Sequence, residues 1–312
     1  MNSGGTRRRW TKLVAYVLCI VLVVWLIGDF VYSRVVANQI SRWEATIERD
    51  ADGIQVGCRE YTIGKGKTAL LLIHGINDSP RCYRKMAPAL ADKEFTCRVM
   101  RMPGFAKPID EYAIATKEQW ISAVDAEVAS LRKTHDRVCI IAHSLGGAVA
   151  ISYLLDKPEA VDAVVLIAPA IEVSNERSPV LSTRVWHEFG QWALPLTSTT
   201  NSPFENDAHD PAERDYPGRM IFTPKSIADQ TFQLIDNNHG RAHEFKTPLL
   251  MVLSKDDKVI NWKAAEQFYR NAAATKKQNY FTEDAGHTIP SDYGWDVLSS
   301  DIAKFCHPVF PN

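Results

Sequence analysis

Hydrophobic positions follow two regimes along the chain. From Leu13 to Ile27 the run of apolar residues is unbroken, and it continues past Asp29 to Phe30, Val31 and Tyr32. About 20 apolar residues span a bilayer as a helix, whereas a secretory h-region holds about 7–15. The pattern therefore predicts a transmembrane helix over 13–32. Arg7, Arg8, Arg9 and Lys12 precede it and Arg34 is the nearest basic residue after it. That asymmetry places a tail, 1–12, in the cytoplasm and the rest of the chain on the far side, periplasmic in a Gram-negative cell. Length favours an uncleaved anchor over a signal peptide, although Val35-Val36-Ala37 fits a cleavage pattern and Thr6–Trp10 weakly resembles a twin-arginine export signal. Val36, Ile40, Trp43 and Ile47 then recur at helical spacing, predicting a juxtamembrane helix over 33–50. Its stripe suits packing on the following domain better than lying on lipid or pairing with a second copy.

Beyond residue 50 the apolar runs are short and alternate with helical patterns. Ala69–Ile73, Val138–Ala142, Ala163–Ala168 and Pro248–Ser254 read as strands buried on both faces. Thr116–Thr134 reads as a helix with Trp120, Val124, Val128 and Leu131 facing inward. Such alternation predicts a parallel sheet covered by helices on both sides. The alternation stops between Pro169 and Thr247, a stretch too long for an ordinary connection. It opens with an aromatic helical face, Val185, Trp186, Phe189 and Trp192. A polar stretch with Pro203, Pro211 and Pro217 follows, then Met220-Ile221-Phe222, Ile227, Phe232, Leu234 and Ile235. Those apolar positions suit either a small core of their own or a shielded pocket for an apolar ligand.

Composition adds mainly exclusions. The 312 residues are 46% hydrophobic and 23% charged with a formal net charge of −1, which gives no reason to expect nucleic-acid binding. No repeat, P-loop or GxGxxG appears, and no Cys or His spacing suits a metal, so neither metal nor cofactor is expected. Of six cysteines, Cys19 falls in the predicted span, leaving an odd five beyond it. Cys139 reads as a buried thiol. Cys82 and Cys97 lie where they could meet, although two buried thiols fit better than a bridge.

The chemistry is concentrated in Val-Cys-Ile-Ile-Ala-His-Ser-Leu-Gly-Gly, residues 138–147. A buried strand runs into a serine flanked by small residues, and a helix follows: a nucleophile elbow with Ala142 in place of the first glycine. The sharp turn lifts the Ser144 hydroxyl above the sheet edge and aims the Leu145 N–H at the same space. Downstream come a strand ending in Lys255-Asp256-Asp257-Lys258, then Ala285-Gly286-His287. The order Ser, Asp, His is that of α/β-hydrolases. Serine rather than aspartate at the elbow excludes the epoxide-hydrolase and dehalogenase mechanisms.

Further residues strengthen the match: His74-Gly75 ending a buried strand, Asn77-Asp78-Ser79-Pro80, Glu94–Val99 and Met102-Pro103-Gly104. Over roughly residues 55–306, apart from the middle insertion, the chain resembles the α/β-hydrolases, more narrowly bacterial carboxylesterases and monoacylglycerol lipases. It departs from them at Ala142 and at Phe105-Ala106, which stand where relatives often have His-Gly at the pocket wall. The resemblance implies a mostly parallel sheet, core segments 51–170 and 247–312, and a helical cap, 171–246, between the sixth and seventh core strands. It implies Ser144 as nucleophile, His287 as base, Asp257 as acid (Asp256 the fallback), and the Ile76 and Leu145 N–H groups as oxyanion donors. His143, Trp186, Phe189 and Phe222 are the expected substrate-binding residues, although His143, like His74, also suits local packing. The expected activity is hydrolysis of acyl esters such as monoacylglycerols, lysophospholipids or phospholipids at a membrane, without a cofactor. A peptidase or thioesterase on the same residues, or a non-catalytic binding protein of this fold, are the alternatives. A homodimer through the membrane helix is the further partner expectation.

Overall fold

The computed structural model describes residues 3–178, 180–201, 205–214 and 216–307; Pro203 and the side chains of Arg7 and Arg8 lie outside it. The N-terminal apolar run and the helical stripe after it form one continuous helix, α1 (Ser3–Glu44), rather than two. It is one helix long and apolar enough to cross a membrane, and its side chains from Leu13 to Val24 are exposed. From Trp25 onward one face turns onto the rest of the protein: Asp29 and Val36 are buried, and Ile40 and Trp43 pack on the core. The stripe beyond the apolar run thus packs as expected, but the helix ends at Glu44, before Ile47.

The strands β1 (Tyr61–Ile63), β2 (Thr68–Ile73), β3 (Phe95–Met100), β4 (Arg137–His143), β5 (Ala163–Ile167), β8 (Leu249–Ser254) and β9 (Lys277–Thr282) form one sheet. Its order is β1-β3-β2-β4-β5-β8-β9, with only β1 antiparallel to its neighbour. Between β5 and β8 come α6 (Thr183–Ala193), a two-stranded ribbon of β6 (Thr199–Asn201) and β7 (Phe222–Pro224), and α7 (Lys225–Asn238). The insertion therefore follows the fifth strand of a seven-stranded sheet among the described residues, not the sixth, a correction of strand count. Its last part belongs to the core flank, because α7 packs on α5 (Leu145–Asp156), where Asn238 donates to the Ala148 carbonyl.

The remaining helices are α2 (Met86–Ala91), α3 (Ile109–Ala113), α4 (Lys117–Arg132), α8 (Trp262–Asn271) and α9 (Trp295–Cys306). Helix α4 starts where a Thr116/Gln119 capping box satisfies two of its end N–H groups, and it buries Trp120, Val124, Val128 and Leu131 as the periodicity predicts. Strands β2, β4 and β5 are buried almost throughout, which is why their sequences lack a polar alternation. Successive crossovers run from β2 outward to β3 and then back across β2 to β4. The sheet reverses direction between β2 and β4, and at such a switch point the loops leaving adjacent strands diverge to open a crevice. Cys82, Cys97 and Cys139 are buried free thiols.

Candidate active site

Two loops leave the sheet at that switch point. Ile73 of β2 stands opposite Ala142 of β4, so the His74-Gly75 turn and the Ser144 elbow emerge side by side. Ser144 has φ 53°, a conformation costing a non-glycine residue on the order of 1–3 kcal/mol. The surroundings enforce it: the Ser144 N–H donates to the Ile167 carbonyl, and its carbonyl accepts from Ala148 and Ala170. A Cβ on Gly146 would lie 2.6 Å from the His74 carbonyl oxygen and 2.7 Å from that of Ile73, so the elbow can seat against β2 only with glycine there.

The Ser144 Oγ lies 2.9 Å from His287 Nε2, and His287 Nδ1 lies 2.7 Å from Asp257 Oδ2. A carboxylate only accepts, so Nδ1 carries the proton and Nε2 is free to accept from the serine. The second Asp257 oxygen, Oδ1, accepts the N–H groups of Val259 and Ile260 at 2.8 and 2.9 Å, which fixes the carboxylate's orientation. Asp257 is 1% exposed, whereas the Asp256 side chain is 63% exposed and 3.9 Å from His209. Leu145 opens α5, where first-turn N–H groups have no partner within the helix and the helix end is electropositive. Ile76 lies beside Ser144 in the wall of the same cavity.

Two buried histidines flank this array without titrating near neutrality. Burial pushes His143 well below its ordinary range, and the neighbouring His287 adds to this. Its Nε2–H donates to the His287 carbonyl at 2.9 Å, so His143 both lines the cavity and holds the histidine loop. Burial lowers His74 to about 4. Its Nδ1–H donates to the Gly75 carbonyl and its Nε2 accepts the Met102 N–H, tying the two loops together beneath the site. Phe105 packs under His74, 4.8 Å between ring centres, rather than in the cavity wall.

Of the four expected substrate-binding residues, only His143 reaches the cavity. Trp186 and Phe189 sit about half exposed on the outer face of α6, and Phe222 is buried edge-on against Trp43 of α1. The aromatic periodicity was a true helix signal, but it carries no information about which way the face points. The cavity measures about 200 Å³ and mixes apolar walls (Ile76, Val173, Val259) with charged ones (Arg177, Glu205, Arg219).

The sequence reading also missed the residues that join the insertion to the site. The Asp207 carbonyl accepts the N–H groups of His287 and Thr288, and its carboxylate accepts from the Lys258 N–H and pairs with Arg177. Asp292, fully buried, accepts from the N–H groups of His209, Asp210 and Gly286. On the opposite side the Asn77 carbonyl accepts from Met220, and its amide donates to Thr223. A run of acidic residues in the polar stretch, Glu205, Asp207, Asp210 and Glu213, was the one sign of these contacts in the sequence.

Comparison with known proteins agrees with the geometry. A family model described as serine aminopeptidase, S33, matches residues 64–293. A carboxylesterase of Bacillus subtilis (strain 168) is 20% identical over 248 residues, 79% of this chain and 95% of that protein. A thermostable monoacylglycerol lipase of Bacillus sp. (strain H-257) is 21% identical over 250 residues, 80% of this chain and 94% of that one. Among solved structures, one of the metagenome-derived lipolytic enzymes LipS and LipT superposes with a TM-score of 0.70 at 17% identity, over 81% of this chain and 98% of that one. The chain belongs to the family described as serine aminopeptidase, S33, and has the α/β-hydrolase fold.

Proposed function

We propose that this protein is a membrane-anchored serine hydrolase that cleaves acyl esters of membrane lipids through an acyl-enzyme. The observation that carries the reading is the relay of hydrogen bonds from Asp257 through His287 to Ser144, at 2.7 and 2.9 Å. Ser144 is the nucleophile: His287 Nε2 takes the hydroxyl proton as Oγ bonds to the ester carbonyl carbon. The charge passing to the carbonyl oxygen is met by the Ile76 and Leu145 N–H groups, each such donor typically worth about 3 kcal/mol of barrier. His287 then gives its proton to the departing alcohol, leaving Ser144 acylated. A water, deprotonated by the same nitrogen, attacks the acyl carbon and restores the serine. Asp257 keeps the imidazole in the tautomer that can accept and offsets the charge it acquires.

Residues 171–224, the part of the insertion before α7, act in this reading as the cap, with Arg177, Glu205 and Arg219 lining the cavity. Charged walls suit the polar alcohol half of a lipid ester, a glycerol or a head group. The exposed apolar length of α1 supports anchoring in the membrane with the catalytic domain on the non-cytoplasmic side. The similarity to a monoacylglycerol lipase supports an acylglycerol or related lipid as substrate. A peptidase reading draws on the family description and on Glu205, a carboxylate that suits an α-ammonium group.

The test is hydrolysis by detergent-extracted protein beside Ser144→Ala. Substrates are p-nitrophenyl esters of increasing chain length, a monoacylglycerol, a lysophospholipid and aminoacyl p-nitroanilides. Ser144-dependent turnover of the esters and at least one lipid is expected. Turnover of the anilides alone would put a peptidase in its place, and no Ser144-dependent turnover of any kind would overturn the reading.

A further inference from the structure

Helix α6 has two unlike faces. One is fastened to α7: Arg184 pairs with Asp236 at 3.1 Å, His187 Nε2 lies 2.6 Å from Asp229, and Gln191 donates to both Asp229 oxygens at 3.0 Å. The other carries Val185, Trp186, Phe189 and Trp192, which are 42, 48, 50 and 69% exposed, flanked by exposed Leu181 and Leu196. No residue of α6 is buried, so in water this helix would gain little from its largest side chains. A contiguous aromatic face of this kind marks an interaction surface.

What covers it follows from where α6 meets α1. The Trp192 ring stacks on Trp25 with 5.4 Å between ring centres, and Trp25 Nε1–H donates to the Ala193 carbonyl at 2.8 Å. One turn further along α1, the buried Asp29 carboxylate accepts from the Leu196 N–H and the Thr197 hydroxyl, each at 2.6 Å. Trp25 lies seven residues before Tyr32, where the apolar run ends. At 1.5 Å per residue it sits about 10 Å inside the outer end of the span. A side chain stacked on Trp25 is therefore at or below the level of the lipid head groups. Amphipathic interfacial helices bury their apolar face about 5–10 Å into that boundary, the same depth. A carboxylate inside an apolar span would be costly facing lipid, and Asp29 faces the connection after α6 instead.

We propose that α6 is an interfacial helix: its Val185, Trp186, Phe189 and Trp192 face lies in the outer leaflet of the bilayer that α1 crosses. The Trp25 stack and the Asp29 hydrogen bonds set its depth. The proposal rests on the membrane-anchor reading given above. It also gives α6 a role in delivering substrate. Thr183, its first residue, lines the Ser144 cavity, and Trp192 is at the anchor. Eleven residues, about 16 Å of helix, thus connect the lipid phase to the catalytic cavity.

The test uses the full chain in phosphatidylcholine/phosphatidylglycerol vesicles, with an environment-sensitive fluorophore on Trp186→Cys in a Cys19→Ser background. The other five cysteines are buried, so labelling is confined to the new site. Lys304→Cys, exposed on α9, is the aqueous control. Emission from position 186 is expected to be blue-shifted and quenched about twofold by lipids brominated near the head-group end of the chain, with position 304 unaffected. Phe189→Cys should give the same result, which guards against a defect peculiar to one variant. An alkaline carbonate wash separates the two levels of the argument. Water-like, unquenched emission from protein that resists the wash overturns the interfacial helix alone. Blue-shifted emission that lipid quenchers do not touch also overturns it, because a second copy would then cover the face. Protein stripped by the wash overturns the anchor and this proposal together.

Discussion

Asp256 and Asp257 are adjacent carboxylates in one turn, and only burial and direction separate them. The buried Asp257 holds His287 Nδ1 and two backbone N–H groups; Asp256 faces solvent. Asp257→Asn presents an amide that cannot enforce the right imidazole tautomer, so kcat on a soluble ester should fall by about 10³–10⁴-fold. Asp256→Asn should stay within about twofold, as an exposed change away from the relay. Equal losses in steady-state assays would contradict the assignment. From the sequence both aspartates fitted the turn, and the spacing seen in relatives, not any chemistry in the residues themselves, favoured Asp257. His74 adds a second effect at this scale. Burial lowers it to about 4 from an ordinary value near 6.5, so between those pH values the unfolded chain binds the extra proton. The stability this neutral histidine contributes is complete above about pH 6.5 and is lost as pH falls toward 4, a loss of about 3 kcal/mol. Urea unfolding at pH 7.5 and pH 4 should show the decline, and His74→Gln should flatten it. An unchanged slope in that variant would assign the acid sensitivity elsewhere.

Individual elements were legible wherever local physics decides them. The capping box and inward stripe of α4, the apolar runs of β2, β4 and β5, and the small residues of the elbow each carry their own instructions. The insertion was not, because its placement depends on contacts with residues far along the chain. The aromatic stripe of α6 reads the same whether it faces a cavity or a membrane, and only Trp25 and Asp29 of α1 decide between them. Asp207 shows the same dependence: the acidic run around it is visible in the sequence, but not that this residue fastens the loops carrying both His287 and Asp257. Asp207→Ala leaves the Lys258 N–H and Arg177 without that carboxylate, a loss of about 1 kcal/mol for partly exposed donors. Activity should drop by about tenfold, mainly in kcat, with faster proteolysis between residues 256 and 292. Full activity with unchanged proteolysis would mean that the Asp207 carbonyl alone holds the loops.

At the scale of the molecule, the sheet brings the His74 turn and the Ser144 elbow together at a change of winding direction, and the insertion links both to the long apolar helix α1. The matched family region begins only at residue 64, so α1 lies outside it, whereas the residues α1 packs against, Trp192, Leu196, Thr197 and Phe222, lie within it. Strand order is invisible in a linear pattern: periodicity and resemblance implied a mostly parallel sheet, and the pairing of strands far apart in the chain sets the order. The core does not depend on the apolar half of α1, whose side chains from Leu13 to Val24 are exposed. Removing residues 1–32 should therefore release the protein from membranes while hydrolysis of short soluble esters stays within about threefold, since Val36, Ile40 and Trp43 still pack on the core. Loss of that soluble activity would make the anchor part of the catalytic unit.

The most direct test of the central claim is to treat the full-length protein with a fluorophosphonate ester and locate the adduct by peptide mass spectrometry. The relay predicts one phosphonylated residue, Ser144, formed rapidly in the native chain and slowed by about 10³-fold or more in His287→Ala. An adduct on another serine, or Ser144 labelling that is indifferent to His287, would contradict the account.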